Sequence, residues 1–127
     1  ATDSIHLPTL AQFDTAAHYY ATRAHETIHW TGHTSRLNRD LTGRFGDDAY
    51  AAEELVAELG SAMWCAQTGL TTITRADHAA YLAGWLRILR SDARALVTIA
   101  SRAQAAVDWL NTHTGHTATE TVEEVAA

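Results

Sequence analysis

His25-Glu26-Thr27-Ile28-His29 is an HExxH sequence set in a helical stretch, and it constrains what this chain can fold into more than any other feature. One helical turn puts both imidazoles on the same face, with Glu26 beside them. Two neutral imidazoles one turn apart can share a Zn²⁺, and the adjacent carboxylate can take a proton from a metal-bound water. A zinc held by one helix needs a third protein ligand from elsewhere, with the fourth position left open for water. The fold must therefore bring a second element against this helix. The motif alone is weakly specific in a chain with 8 His among 127 residues, so its context decides.

Composition narrows that context. A chain of 127 residues with 46% hydrophobic content fits one domain with a real core,. No apolar run approaches the roughly 18 to 20 residues of a membrane span, and Ala1-Thr2-Asp3-Ser4 does not open a signal peptide. The expectation is a soluble, unexported, cytoplasmic protein without a membrane partner. The single cysteine, Cys65, rules out an internal disulfide and a Cys-based zinc knuckle,. A net charge of -6 argues against nucleic-acid binding through bulk electrostatics, although all nine basic residues are Arg,. Arg36, Arg39 and Arg44 are close in sequence but diluted by Asp40, Asp47 and Asp48, so their segment reads as a solvated loop.

The local pattern is mainly helical. Ile5 and Leu7 alternate with Ser4 and His6, which predicts an edge strand over Ser4 to Pro8. Asp14 or Thr15 can cap a helix running through the motif to about Trp30, with Gly32 as the stop. His33 to Asp48 is polar and turn-rich. A second helix is predicted from about Asp48 to Gln67, ending near Gly69. Thr71-Thr72-Ile73 suits a short extended piece. Thr74 with Asp77 suits a cap for a third helix through Tyr81 and Trp85, and Ser91 can cap a fourth to about Leu110. This places one domain over residues 1–110 and a flexible, Thr-rich acidic tail over 111–127, in which His113 and His116 are incidental.

Four residues compete for the third ligand. His33 continues the i, i+4, i+8 series, but it lies beyond Gly32, where the helix should have turned away. Projecting the second helix at about 100° per residue gathers Ala52, Leu55, Val56, Leu59, Ala62, Met63 and Ala66 on one apolar face. Glu54, Glu58, Ser61 and Cys65 form a separate stripe whose small members let another helix approach. Glu53 points elsewhere, with Ala57, Gly60 and Trp64, and reads as a solvated acid. The stripe favours Glu54 as ligand with Glu58 holding a histidine N–H, while the reverse and Glu53 stay open.

Three stretches then carry a resemblance: HETIHWTGHTSRLNR preceded by Tyr19-Tyr20-Ala21-Thr22, FGDDAYAAEELVAELG, and HAAYLAGWLRIL. With Asp3-Ser4-Ile5-His6-Leu7-Pro8 they cover nearly everything from Asp3 to Leu110. The chain resembles the zincin-like metallopeptidase domain of ArdC-type antirestriction proteins and related polyvalent proteins of plasmids and phages. More distantly it is similar to the ImmA/IrrE regulatory peptidases. The resemblance implies a mainly α, gluzincin-like fold with at most a minimal β edge. It implies a Zn²⁺ held by His25, His29 and a glutamate of the EELVAE helix, with Glu26 as general base. In ArdC-type proteins proper the domain follows an N-terminal single-stranded-DNA-binding domain, so the resemblance implies possible DNA association through a separate domain. Two departures stand out. Zincins set the HExxH helix against several strands, whereas one candidate strand is present, and Ser35 occupies the place of the third histidine in HExxHxxGxxH.

The function expected is hydrolysis of a protein or peptide substrate by a zinc-activated water, Glu26 taking the proton and returning it to the leaving amine. His78 and Tyr81 are candidate oxyanion donors, each with a competing packing role. Trp30, Trp64, Trp85 and Trp109 read as core packing. The alternatives are a non-catalytic zincin-fold binding module in antirestriction or DNA protection, and a regulatory peptidase that cleaves a repressor.

Overall fold

Thr15 opens the first helix, its extended backbone (φ −140°, ψ 153°) leaving the hydroxyl to accept the His18 amide proton at 3.1 Å, which satisfies one orphan donor of the first turn. Helix α1 spans Ala16–Thr31 and stops at Gly32, whose N–H reaches back to the carbonyls of His29 and Trp30. Helix α2 spans Asp48–Thr68, with Asp48 in its first turn where the helix dipole favours an anion,. Gly69 ends it in the left-handed region at φ 76°, a conformation that costs glycine little,. Helices α3, His78–Ser91, and α4, Ala95–Thr114, follow. The computed structural model describes residues 3–43, 47–70 and 78–115, the side chains of 78–82 excepted. Within them the fold is mainly α, and no helix is long and apolar enough to cross a membrane.

Several local expectations change. Ser4 to Pro8 forms no strand, because no second strand exists among the described residues to supply a ladder,. The segment instead leads into a one-turn 3-10 helix, Leu10–Gln12. Ser91 does not cap α4: it is the last residue of α3, and its hydroxyl bonds the Ile88 carbonyl at 2.9 Å. The turn into α4 is made by Asp92, whose carboxylate accepts the Arg94 amide at 2.8 Å. Helix α4 runs past Leu110 to Thr114, so His113 is helical. The extended piece at Thr71-Thr72-Ile73, the Thr74/Asp77 cap and His116 lie outside the described residues.

The core joins Ile28 of α1, Val56 and Ala57 of α2, and Ile99, Ala103, Ala106, Val107 and Leu110 of α4. The α4 positions recur at helical spacing and form one apolar stripe. On α2 the expected face is only partly right. Val56 is buried, but Leu55, Leu59 and Met63 pack at the rim, while Ala62 and Ala66 are exposed. The buried positions are Ala51, Glu54, Val56, Ala57, Gly60, Ser61 and Cys65. Small residues disappear completely where helices cross closely, and a projection weighted by hydrophobicity underrates them. Gly60 shows how close: a Cβ there would lie 3.1 Å from Ile28 Cγ2. This crossing presses the HExxH face of α1 onto the first half of α2.

Candidate metal centre

The two motif histidines meet one glutamate. His25 Nε2 and His29 Nε2 lie 3.1 Å apart, His29 Nε2 is 2.9 Å from Glu54 Oε1, and His25 Nε2 is 3.3 Å from Glu54 Oε2. One ligand atom from each of these residues falls within 4.8 Å of the others. His25 and Glu54 are buried, whereas the His29 side chain keeps 21% of its surface at an open cleft. Zn–N bonds of about 2.05 Å in a tetrahedron set two imidazole nitrogens roughly 3.3 Å apart. The observed spacing therefore fits the ion, and the N,N,O donor set suits it chemically.

Behind each histidine stands a second carboxylate. His25 Nδ1 is 3.0 Å from Glu58 Oε1, and His29 Nδ1–H donates to Glu53 Oε1 at 3.1 Å. Burial opposes charge on His29, but its bonds to Glu53 and Glu54 overcome that and raise its pKa to about 9,. Burial likewise opposes charge on Glu54, and the two histidines outweigh it, holding that carboxyl at about 2. Glu53 is also lowered: desolvation resists, and His29 and Arg39 prevail. In the metal-free protein the positive charge therefore resides on His29 itself, paired with Glu53 and Glu54.

Glu53 and the arginine loop correct the sequence reading. Glu53 is no solvated acid: Arg39 grips it with two bonds, Nε to Oε2 at 3.0 Å and Nη2 to Oε1 at 2.9 Å. Arg39 also bonds the Ile28 carbonyl at 2.7 Å and Thr31 Oγ1 at 2.9 Å. Arg36 stacks on Trp30, with Cζ 3.6 Å from the ring centroid, bonds the Trp30 carbonyl and pairs with both oxygens of Asp3. The Arg36 and Arg39 side chains are only 8% and 6% exposed, so the loop is folded back onto the end of α1 rather than solvated. Arg44 lies outside the described residues. The signal was the RLxR spacing after TGH, whose fixed distance from Gly32 positions both guanidiniums.

Glu26 lines a cleft of about 260 Å³ together with His29, Glu53, Glu54, Asp40 and Tyr50. Tyr50 escaped the sequence reading because a tyrosine in a first helical turn carries no distinguishing pattern. A larger cavity of about 580 Å³ opens on the opposite face of α1, among Trp30, Trp64 and Trp109, and holds none of the candidate ligands. His33 is exposed and bonded to Ser35, away from the site. His113 stacks on Trp109 with centroids 3.7 Å apart and bonds its carbonyl. Trp64 and Trp109 pack against the core. His78 and Tyr81 belong to the start of α3, but their side chains lie outside the described residues.

Comparison with known proteins places this geometry. The zincin-like metallopeptidase family profile matches residues 1–102. The uncharacterized protein y4eC of Sinorhizobium fredii is 50% identical over 111 residues, 87% of this chain and 36% of that protein. DNA primase TraC of Escherichia coli is 44% identical over 110 residues, 87% of this chain and 10% of the primase. The chain thus spans a minor part of these relatives. The crystal structure of antirestriction protein ArdC from plasmid R388, metal-free, superposes with a TM-score of 0.74 at 49% identity, over 86% of this chain and 39% of ArdC. Its Mn(II)-bound form superposes equally, at 0.74 and 47% identity, over 84% of this chain and 40% of ArdC. With a profile that covers His25, Glu26, His29 and all of α2, this chain belongs to the zincin-like metallopeptidase family.

Proposed function

We propose that this domain hydrolyses peptide bonds of a protein substrate, with Zn²⁺ held by Nε2 of His25, Nε2 of His29 and the Glu54 carboxylate. The observation that carries the reading is the convergence of those three groups beside a cleft lined by Glu26. That the similar ArdC protein also has a Mn(II)-bound structure supports a divalent cation in this reading. When bound, such a cation polarises a carbonyl and acidifies a water. Glu26 faces the same cleft, where its carboxylate accepts the proton of the attacking water and delivers it to the leaving amine nitrogen. Glu53 holds Nδ1 of His29 by a hydrogen bond and Glu58 lies 3.0 Å from Nδ1 of His25, an arrangement that would leave both Nε2 atoms to ligate the cation. His78 and Tyr81 remain the proposed oxyanion donors, from the start of the helix that follows the site.

The setting we infer is cytoplasmic and of antirestriction type, with DNA contact through a separate domain. One observation favours a second reading. The named relatives are an antirestriction protein and a DNA primase rather than peptidases, which suits a binding module that keeps its metal for structure. Metal analysis with Glu26→Ala separates the two. The catalytic reading expects about one zinc per chain in both proteins, with cleavage of a partner protein by wild type alone. Equal biological activity in both refutes catalysis, and a wild type that holds no divalent metal after zinc is supplied refutes the site.

A further inference from the structure

We propose that Arg39 is a positioning residue of the metal centre, holding Glu53 so that Glu53 fixes the His29 ring with Nε2 available to the cation. This rests on the metal-site reading above and extends it to a residue outside the HExxH and EELVAE motifs.

The two histidines are not held alike. His25 is 2% exposed, so packing on all sides restrains its ring. His29 borders the cleft, where packing restrains it less, and its orientation depends on the bond from Nδ1 to Glu53. A glutamate has three side-chain torsions, and one bond would leave its carboxylate free to swing. Arg39 removes that freedom by engaging both oxygens, a planar two-pronged contact that a lysine cannot reproduce,. Arg39 is itself pinned to the Ile28 carbonyl and the Thr31 hydroxyl. Both anchors belong to the turn of α1 that carries His29, and Ile28 O, one of the C-terminal carbonyls beyond the reach of the backbone ladder, accepts from the Thr31 hydroxyl at 2.6 Å as well as from Arg39,. The ring of contacts therefore closes on itself, from His29 to Glu53 to Arg39 and back to α1.

The loop delivers the guanidinium through a tight return. Leu37 N–H bonds Thr31 O at 3.0 Å, Arg39 N–H bonds Gly32 O at 2.9 Å, and Asn38 takes a left-handed φ of 48° between them. Gly32 has an ordinary helical φ of −77°, so the turn does not require glycine for its backbone. A Cβ there would crowd the guanidinium, standing 2.9 Å from Arg39 Nη2 and 3.1 Å from Cζ.

The test is zinc affinity by chelator competition, with visible absorption of the Co(II)-loaded protein and thermal melts after metal removal, on the full chain. Glu53→Gln keeps the volume but offers one acceptor to three donors, and Arg39→Met removes the grip. Each should weaken zinc by about 10- to 100-fold and shift the Co(II) bands, with Arg39→Lys falling between them and wild type. Metal-free Glu53→Gln should melt close to wild type, separating positioning from folding. Affinities within about twofold of wild type with unchanged Co(II) bands would overturn the proposal. If Arg39→Met does not fold, Arg39→Lys, which keeps the charge but not the two-pronged contact, decides in its place. A wild type without zinc affinity removes the metal-site reading as well, whereas normal binding in wild type and variants removes only the role of Arg39.

Discussion

Adding one methyl group at Gly60 tests whether the closeness of α1 and α2 builds the metal centre. The new Cβ would lie 3.1, 3.2 and 3.3 Å from Cγ2, Cδ1 and Cγ1 of Ile28, which is fully buried. Two terms oppose each other. Alanine in a helix interior gains about 1 kcal/mol over glycine, and overpacking a filled core costs about 1–3 kcal/mol. Crowding should prevail, because Ile28 meets the methyl with three atoms and a β-branched side chain in a helix has essentially one χ1 rotamer. The expected net loss is on the order of 1 kcal/mol, a fall of a few degrees in Tm. The larger effect should be on metal. Ile28 adjoins His29 and sits three residues from His25, and metal–ligand distances tolerate only about 0.2 Å. Gly84→Ala is the control, since its Cβ would meet one core atom, Ala51 Cβ at 3.2 Å, on the α2–α3 side. Melting the metal-free proteins and titrating zinc should show Gly60→Ala less stable and several-fold weaker, and Gly84→Ala near wild type in zinc affinity. A Gly60→Ala protein more stable than wild type with undiminished zinc affinity would refute the argument.

Two further outcomes follow from the ion pairs. In the metal-free protein His29, raised from 6.5 to about 9, contributes stability in full below pH 6.5 and loses it as pH rises through about 9,. Glu54, lowered from 4.5 to about 2, contributes above pH 4.5 and loses it as pH falls through about 2,. Metal-free stability should therefore be highest at about pH 5 to 6.5 and drop by a few kcal/mol toward pH 9; denaturant melts flat across that upper range would contradict the His29 pairing. Arg36→Ala removes the stack on Trp30 and the bond to its carbonyl, and should cost on the order of 1 kcal/mol while leaving zinc affinity alone. A fall in zinc affinity comparable to that of Arg39→Met would show that the two arginines do not divide the work as described.

What could be read from the sequence was what depends on neighbours along the chain. Thr15 and Gly32 mark the ends of α1 by rules that act within one turn, and Gly69 does the same for α2,. The pairing of His25 and His29 with Glu54 was legible because i, i+4 spacing and a polar stripe fix which groups share a face. Glu53 was missed because it lies about 100° from Glu54, and its usefulness depends on what covers that side of α2. What covers it is the Arg36–Arg39 loop, whose polarity suggests solvent until its guanidiniums find the carbonyls at the end of α1. The Ser4 to Pro8 alternation was a real local signal, but a strand needs a partner that local pattern cannot provide. Ser91 and Asp92 are adjacent cap formers, and nothing local decides between them.

The candidate metal centre draws on α1, the loop and α2, yet five of the eight buried residues in the core cluster that joins these helices belong to α4. Val107 is fully buried in the cluster with Val56, Ala57 and Ile28, and it does not line the cleft that holds Glu26, His29 and Glu54. If α4 contributes stability and not geometry, Val107→Ala should cost about 1–3 kcal/mol through lost burial and a residual cavity. Saturating zinc should then raise the stability of wild type and variant by the same increment, since binding to the folded state adds RT ln(1 + [Zn]/Kd) whatever the starting stability. Denaturant melts with and without zinc measure both quantities together. A smaller zinc increment in Val107→Ala would mean that its cavity lets α1 shift, so that the core of this small domain sets ligand distances as well as holding the chain folded.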